Sequence, residues 1–363
     1  MRFSKAVFKG RYSPIGVDLG TTNVKLLQFR EERKKIFLHS TLILPRDVIP
    51  IGNDKDYDSA LALKLKKKLG GAGFVKKRDA NICVGNNNYI IRSFKLPPMA
   101  DKDIAEAVKW EAEYRITMPS TDRVTDYIYE RGKGVDGKES ITVHLVAAPR
   151  DIVNDYLFIM AKTGVNPLSV EIESFALHRI FKIAAKSKNR DERGKNNISL
   201  VVDLGGESVN ILILEDDIYA YCRHIKPGIN SLMGKAVSIK ENLTDKAYGI
   251  YYKKGSLNEP GFNEIASRIV ADTNQALDNY CYRIRDREGR ASCNEIFLCG
   301  GGANTAGIDV FFRDIAGEGK EVARLNIFDF LGIGDAEQLA EGEKMLFNVA
   351  GGLALRGWLK YER

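Results

Sequence analysis

The feature that most restricts the fold of this chain is a pattern that occurs twice. Ile15-Gly-Val-Asp-Leu runs into Gly20-Thr-Thr-Asn and then Val24-Lys-Leu-Leu-Gln-Phe. Far downstream, Ile198-Ser-Leu-Val-Val runs into Asp203-Leu-Gly-Gly-Glu-Ser and then Val209-Asn-Ile-Leu-Ile-Leu. Each reads as strand, small polar turn, strand, because the flanks are rich in branched residues and free of proline. Asp18 and Asp203 lie 185 positions apart (203 − 18), which fits duplication at the scale of a domain. Glycine in each turn lets a ligand approach the backbone, while hydroxyls and free amides can face anionic oxygens. Taken singly, either turn is as readily an ordinary hairpin.

A third glycine turn follows in "EIFLCGGGANTAGIDVFFRDI". Glu295 to Cys299 reads as a buried strand, Gly300-Gly301-Gly302 as a turn that admits a flat ring or sugar, and Ile308 to Ile315 as helix. Two Asp-x-Gly hairpins can approach a phosphate chain from opposite sides, and two aspartates can hold a hydrated magnesium ion. The three loops in this order resemble the actin, Hsp70 and sugar-kinase superfamily, an α/β two-domain fold. The resemblance implies a first phosphate loop of Asp18, Gly20, Thr21, Thr22 and Asn23, and a second of Asp203, Gly205, Gly206, Glu207 and Ser208. It implies an adenosine loop of Gly300, Gly301, Gly302 and Ala303, with ATP and Mg as cofactors and the metal held through water by Asp18 and Asp203. Glu173, in "EIESFAL", falls where such ATPases orient the attacking water; it reads equally well as a helix-capping acid.

Composition excludes other classes. A chain of 363 residues has room for two or three domains, and 44% hydrophobic with 28% charged residues is ordinary for a globular protein. No apolar run approaches the roughly 18 residues of a membrane span, and "MRFSKAVFKGRYSP" lacks the apolar core of a secretory signal. Five cysteines (Cys83, Cys222, Cys281, Cys293, Cys299) without a Cys-x-x-Cys pair speak against a disulfide framework or structural zinc and fit a reducing cytoplasm. His39, His144, His178 and His224 form no recognisable ligand set; His178 is expected on the side of a helix. The net charge of +7 is partly local, in Lys64, Lys66, Lys67, Lys68, Lys76, Lys77 and Arg78. That run is either the solvated face of a helix ending at Gly70, or a patch that rests near anionic lipid headgroups. Without interleaved aromatic residues it is a poor nucleic-acid surface.

The branch within the superfamily is set by "YIIRSFKLPPMADKDIAEAVKWEAEYRITMPSTDRVTDYIYE". Tyr89 to Leu96 reads as a strand ended by Pro97-Pro98, and Asp101 or Asp103 can cap the helix that follows, with Glu106 in capping-box position. Ile104, Ala107 and Val108 form its apolar stripe, and Glu111 can pair with Arg115. Arg92-Ser-Phe-Lys-Leu-Pro-Pro, Val108-Lys-Trp-Glu-Ala-Glu, Val170-Glu-Ile-Glu-Ser-Phe-Ala-Leu and Val349-Ala-Gly-Gly-Leu-Ala-Leu-Arg resemble the PilM family of type IV pilus assembly proteins, relatives of FtsA. The resemblance implies a first actin-like half at 13–88, completed by 166–195 and a C-terminal helix at 345–363. A small inserted α/β subdomain would span 89–165, and a second half 196–344 with a smaller part at about 225–290. It also implies a cytoplasmic nucleotide-binding scaffold that takes the N-terminal cytoplasmic peptide of a PilN-like inner-membrane protein in a groove beside 89–165. Such a protein is peripheral to the membrane through its partner and contacts other pilus assembly proteins; because Glu173 is the only candidate for orienting water, any ATP turnover is expected to be slow.

The resemblance implies Ala-Glu-x-x-Lys-x-x-x-Gly facing the nucleoside, whereas "AYGIYYKKG" has Tyr248 and Tyr251 in place of the acid and the base; Lys253 or Lys254 can replace the base after a shift, but the acid has no replacement. Ribose binding is therefore in doubt, while both phosphate loops keep their aspartates. Two other readings are a sugar-kinase-type phosphotransferase and an FtsA-like filament held to the membrane by its C-terminus. "FNVAGGLALRGWLKYER" follows the preceding helix without a flexible tether, so it is expected to pack back on the core.

Overall fold

The computed structural model describes residues 11–47, 49–75, 79–85, 88–133, 138–187, 197–226, 228, 262–282, 293–305, 307–316 and 321–358. The first half is a sheet of β1 (Ile15–Leu19), β2 (Asn23–Glu32), β3 (Lys35–Pro45), β4 (Asp79–Val84) and β8 (Asn166–Ile172) in the order β3-β2-β1-β4-β8. β1, β2 and β3 are antiparallel neighbours, while β4 runs parallel to β1 and β8 parallel to β4. The second half repeats this plan strand for strand. β9 (Ile198–Leu204), β10 (Val209–Glu215), β11 (Ile218–Ile225), β12 (Glu295–Cys299) and β13 (Glu321–Arg324) follow the order β11-β10-β9-β12-β13 with the same directions.

Strands buried on both faces are continuous apolar runs, and here each face has its own cover. Outside the first sheet lie α1 (Lys55–Gly71) and α3 (Arg150–Thr163), whose Leu61, Leu65, Tyr156, Ile159 and Met160 pack with Val17, Leu26 and Ile82. Outside the second, α5 (Phe262–Tyr280) and α6 (Ile308–Ala316) cover Leu200, Val202 and Ile211. Between the halves, α4 (Glu173–Ser187), α7 (Ile327–Leu331) and α9 (Asn348–Leu355) share one core with Leu27, Phe29 and Cys83 of the first sheet and Val201, Leu212 and Phe297 of the second. All eight residues of α9 are buried, so the expected packing of this segment on the core is what the chain adopts through Trp358. At Gly16 the helix and β1 meet backbone to backbone; a side chain there would overlap the Ala350 carbonyl. Glu171 of β8 anchors the same region, accepting from Arg179 at 2.9 and 3.0 Å and pairing with Arg356.

A third, antiparallel sheet has the order β5-β7-β6, formed by β5 (Ile90–Leu96), β6 (Arg123–Lys133) and β7 (Glu139–Pro149). With α2 (Asp101–Arg115) it encloses a separate core of Phe94, Leu96, Ile104, Val108, Val143 and Leu145. This unit spans 90–149 and is shorter than the expected 89–165. The apolar stripe of α3 packs on α1, and Gly164 (φ +76°) turns the chain directly into β8. The expected cap of α2 also differs. The N-cap position is Ala100, whose side chain has no acceptor, so both Asp101 and Asp103 fall within the first turn, and the Asp101 carboxylate pairs with Arg131 at 2.5 Å. Glu111 and Arg115 form the expected pair at 2.5 Å, with Arg115 stacked over Phe94. Of the part expected at about 225–290, only 225–226, 228 and 262–282 are among the described residues.

Candidate functional site

Each half brings its aspartate to the end of its first strand, where register sets a polar residue directly opposite. In the first hairpin Asp18 pairs with Lys25, and in the second Asp203 pairs with Asn210. Buried polar groups need partners, and these pairs supply them. Asp18 is 3% exposed, and its Oδ2 lies 2.6 Å from Lys25 Nζ. Burial alone would push Lys25 down, but the charge and hydrogen bond of Asp18, with Asp203 and Glu173 beyond, hold it above the ordinary lysine value. Asp18 Oδ1 is buried and has no hydrogen-bond partner among the described residues. In the same turn Thr21 is exposed, Thr22 accepts at its carbonyl from Arg46 N at 3.0 Å, and Asn23 donates to Thr22 Oγ1 at 3.3 Å.

Asn210 Nδ2 donates to Glu173 Oε2 at 2.9 Å and to Asp203 Oδ2 at 3.4 Å, tying the second hairpin to the start of α4. The Gly205-Gly206-Glu207-Ser208 turn is closed from above by Gly228, whose N–H donates to the Glu207 carbonyl at 2.9 Å. Gly300 (φ +77°) opens the third loop, Gly301 and Gly302 begin a short 3-10 turn, and Ala303 is buried. No β-carbon fits at Gly300, because it would overlap Asp203 Oδ1. The third loop is therefore seated on the aspartate of the second.

Glu173 is the first residue of α4 and is 8% exposed. Burial, with the charges of Asp18 and Asp203, pushes it up to about 8, against the hydrogen bond from Asn210 and the charge of Lys25. Burial also raises Asp203, opposed by Lys25 and assisted by Asp18, and raises the Cys83 thiol well above its usual value. Ligand atoms of Asp18, Cys83 and Glu173 all lie within 4.8 Å of one another. The Asp18 and Glu173 carboxyls, with Asp18 Oδ1 unpartnered among the described residues, suit a hard, hydrated cation such as magnesium, whereas a neutral thiol does not. Asp18 fits the implied metal; Asp203, its other implied ligand, stands outside this group.

Immediately after Glu173, Ser174 Oγ and Tyr219 Oη of β11 lie 3.0 Å apart. The Tyr219 ring meets His144 of β7 edge-on at 4.6 Å, and His144 Nδ1 is 2.8 Å from Ser93 Oγ. One end of α4 thus touches the carboxylate cluster, the second half and the small sheet. His178 lies on the side of α4 within 3.1 Å of the Asp217 carbonyl and meets the same Tyr219 ring at 5.7 Å, while His224 reaches Asn210 Oδ1 at 3.2 Å. Tyr248 and Tyr251 lie outside the described residues. Lys25 and Asn210 were missed in the sequence. Their signal is a lone polar residue inside an apolar strand, seven positions after the aspartate in both repeats (25 − 18 and 210 − 203).

Two copies of one sheet, meeting over a shared core with carboxylates at the ends of their first strands, define a chain of the actin-like fold. This chain belongs to the family described as type IV pilus assembly protein PilM, whose model matches residues 16–358. Among solved structures it is similar to a PilM-PilN type IV pilus biogenesis complex, at 21% identity and TM-score 0.73, covering 96% of this chain and 99% of that one. It is also similar to the ethanolamine utilization protein EutJ from Carboxydothermus hydrogenoformans, at 14% identity and TM-score 0.51, with 96% and 91% covered. No curated protein sequence matches it. Among the described residues no helix is long and apolar enough to cross a membrane.

Proposed function

We propose that this chain is a cytoplasmic scaffold of type IV pilus assembly, peripheral to the inner membrane, that captures the N-terminal cytoplasmic peptide of a PilN-like membrane protein. The observation that carries this reading is the likeness, over nearly the full length of both chains, to a protein solved as a PilM-PilN complex. The peptide's place is beside the 90–149 unit, where β6 is an outer strand of eleven residues that pairs with β7 alone among the described strands. Such an edge takes an extended peptide by backbone hydrogen bonds, with alternate side chains entering apolar pockets. Fluorescence titration of a synthetic PilN-like peptide tests it. Saturable binding near micromolar, about −8 kcal/mol, is expected; no binding at millimolar peptide overturns the reading.

The cleft between the halves binds ATP with magnesium. Asp18, Gly20, Thr21, Thr22 and Asn23 face the phosphates from one side, and Asp203, Gly205, Gly206, Glu207 and Ser208 from the other. Gly300 to Ala303 cover the nucleoside. Asp18, whose Oδ1 is unpartnered among the described residues, and Asp203 would hold the metal through its water with Glu173 beside Asp18, and the metal would supply neutralisation of phosphate charge. Lys25 sets a fixed positive charge beside Asp18, and Asn210 fixes the direction of Glu173. Glu173 is the one candidate among the described residues for orienting the attacking water, and its carboxyl is already held by Asn210, so turnover is slow. Calorimetry with ATP and magnesium tests the site, and absence of heat at millimolar nucleotide overturns it.

A further inference from the structure

The chain carries 55 basic and 48 acidic residues. Seven of the basic ones stand at positions 64 to 78 without a single acid among them, so the remainder balances 48 against 48 (55 − 7). The whole net charge is the charge of that one stretch. Lys76, Lys77 and Arg78 lie outside the described residues. The others sit on the outer face of the first half, where α1 buries Leu61, Leu65 and Leu69 and turns Lys64, Lys66, Lys67 and Lys68 to solvent. Leu63 on the same helix is 63% exposed. Beside it, Lys64, Lys67 and Lys68 rim an open cleft of about 570 Å³ floored by Leu42 of β3, Gly71 and Ala72. None of these three lysines is ion-paired among the described residues; Lys64 reaches only the Pro45 carbonyl, at 3.4 Å.

We propose that α1 and this cleft form a docking surface for a bilayer containing anionic phospholipid, with headgroup phosphates between the three ammonium groups and Leu63 at the acyl boundary. Charge complementarity chooses the sign of the partner, and the apolar floor and exposed leucine choose its kind. A lysine-rich helix with an apolar residue between its charges suits the interface of a membrane. Nucleic acid would need exposed rings for stacking, and the one aromatic residue of the stretch, Phe74, is buried. An acidic protein segment would need polar groups fixed in place to orient it, and the cleft offers only flexible lysine stems. The surface lies on the face opposite the core shared by the two halves.

Flotation of the full-length protein with vesicles tests this in the absence of any partner. Vesicles of phosphatidylglycerol and phosphatidylcholine should carry the protein at low salt, and phosphatidylcholine alone should not. Binding should weaken at least ten-fold as salt rises several-fold. Each lysine is worth about five-fold in affinity, so the K64E/K67E/K68E protein should fall more than a hundred-fold. These exposed substitutions should leave the thermal transition in place, and Leu63→Ala should weaken binding a few-fold. No flotation of the unaltered protein, equal flotation with neutral vesicles, or unchanged flotation of the triple variant overturns the proposal. So does polyglutamate binding that needs the three lysines while vesicles are ignored, which would assign the surface to an acidic protein.

Discussion

Asp18 and Lys25 face each other across the first hairpin with Oδ2 and Nζ 2.6 Å apart, and Asp203 and Asn210 hold the same two places in the second. Duplication has kept the geometry and changed one partner from a charge to an amide. The first half therefore carries the cation and the second the neutral donor. Lys25→Met should leave a buried carboxylate uncompensated and cost about 3–5 kcal/mol of stability. Urea denaturation of the ligand-free protein measures it.

Magnesium and ATP at about 100 times the dissociation constant should stabilise the fold by roughly 2.7 kcal/mol, which for a chain of this size is a rise of a few degrees in Tm. Asp203→Asn keeps the shape of the side chain and its contact with Gly300 while removing the charge. The shift should disappear in this variant, read by differential scanning calorimetry.

Glu173 sets a pH dependence whose sign is fixed. Its ordinary value is 4.5 and its folded value about 8. At pH 6 the folded state holds a proton that the unfolded state has released, so stability from this group falls as pH rises and levels off above about 8. The slope approaches about 1.4 kcal/mol per pH unit at most. Glu173→Gln should flatten the fall between pH 6 and 8. Binding of magnesium and ATP near pH 7 should release a proton in the unaltered protein and much less in the variant, measured by titration calorimetry in buffers of different ionisation enthalpy.

The Glu171 carboxylate behaves oppositely. Burial would raise it, but Arg179 and Arg356 outweigh burial and hold it below its ordinary value. Its contribution is present above the unfolded value and is lost as pH falls through the folded one. Glu171→Gln should cost about 3–5 kcal/mol, and its urea midpoint should be less sensitive to acid than that of the unaltered protein.

Tyr219→Phe removes the hydroxyl that meets Ser174 and keeps the ring against His144. Stability should fall by about 0.5–1.5 kcal/mol. If the joint couples the cleft to the small sheet, ATP and a PilN-like peptide change each other's affinity by one common factor, and that factor should move toward one in the variant. Replacing 90–149 with a short linker should abolish peptide binding and leave nucleotide binding intact. Deleting 89–165 would instead remove α3 and expose the core under α1.

The strands and loops at Asp18, Asp203 and Gly300 could be read in the sequence because their determinants are local: branched residues, an aspartate and glycines in a row. The packing of α9 was legible because no flexible tether precedes it, and its eight residues, none of them charged, are all buried. The allegiance of α3 was not. Its stripe of Tyr156, Ile159 and Met160 specifies an apolar partner without saying which sheet supplies it. The ties from Asn210 to Glu173 and from Tyr219 to His144 cross 37 and 75 positions (210 − 173 and 219 − 144), and only tertiary packing brings them together. The pairing of Asp101 with Arg131, thirty residues on, is similar.

The contact between Gly16 and Ala350 spans 334 positions (350 − 16). A ribosome makes β1 among its first products and α9 long afterwards, at roughly 5–20 residues per second. For most of that interval the inner face of the first sheet, with Leu27, Phe29 and Cys83, has no helix α9 to cover it. Of the three helices on that face only α4 is made with the sheet, so the nascent chain carries a partly uncovered apolar face until α9 emerges, and its yield in the cell should depend on holdase chaperones more than its final stability would suggest.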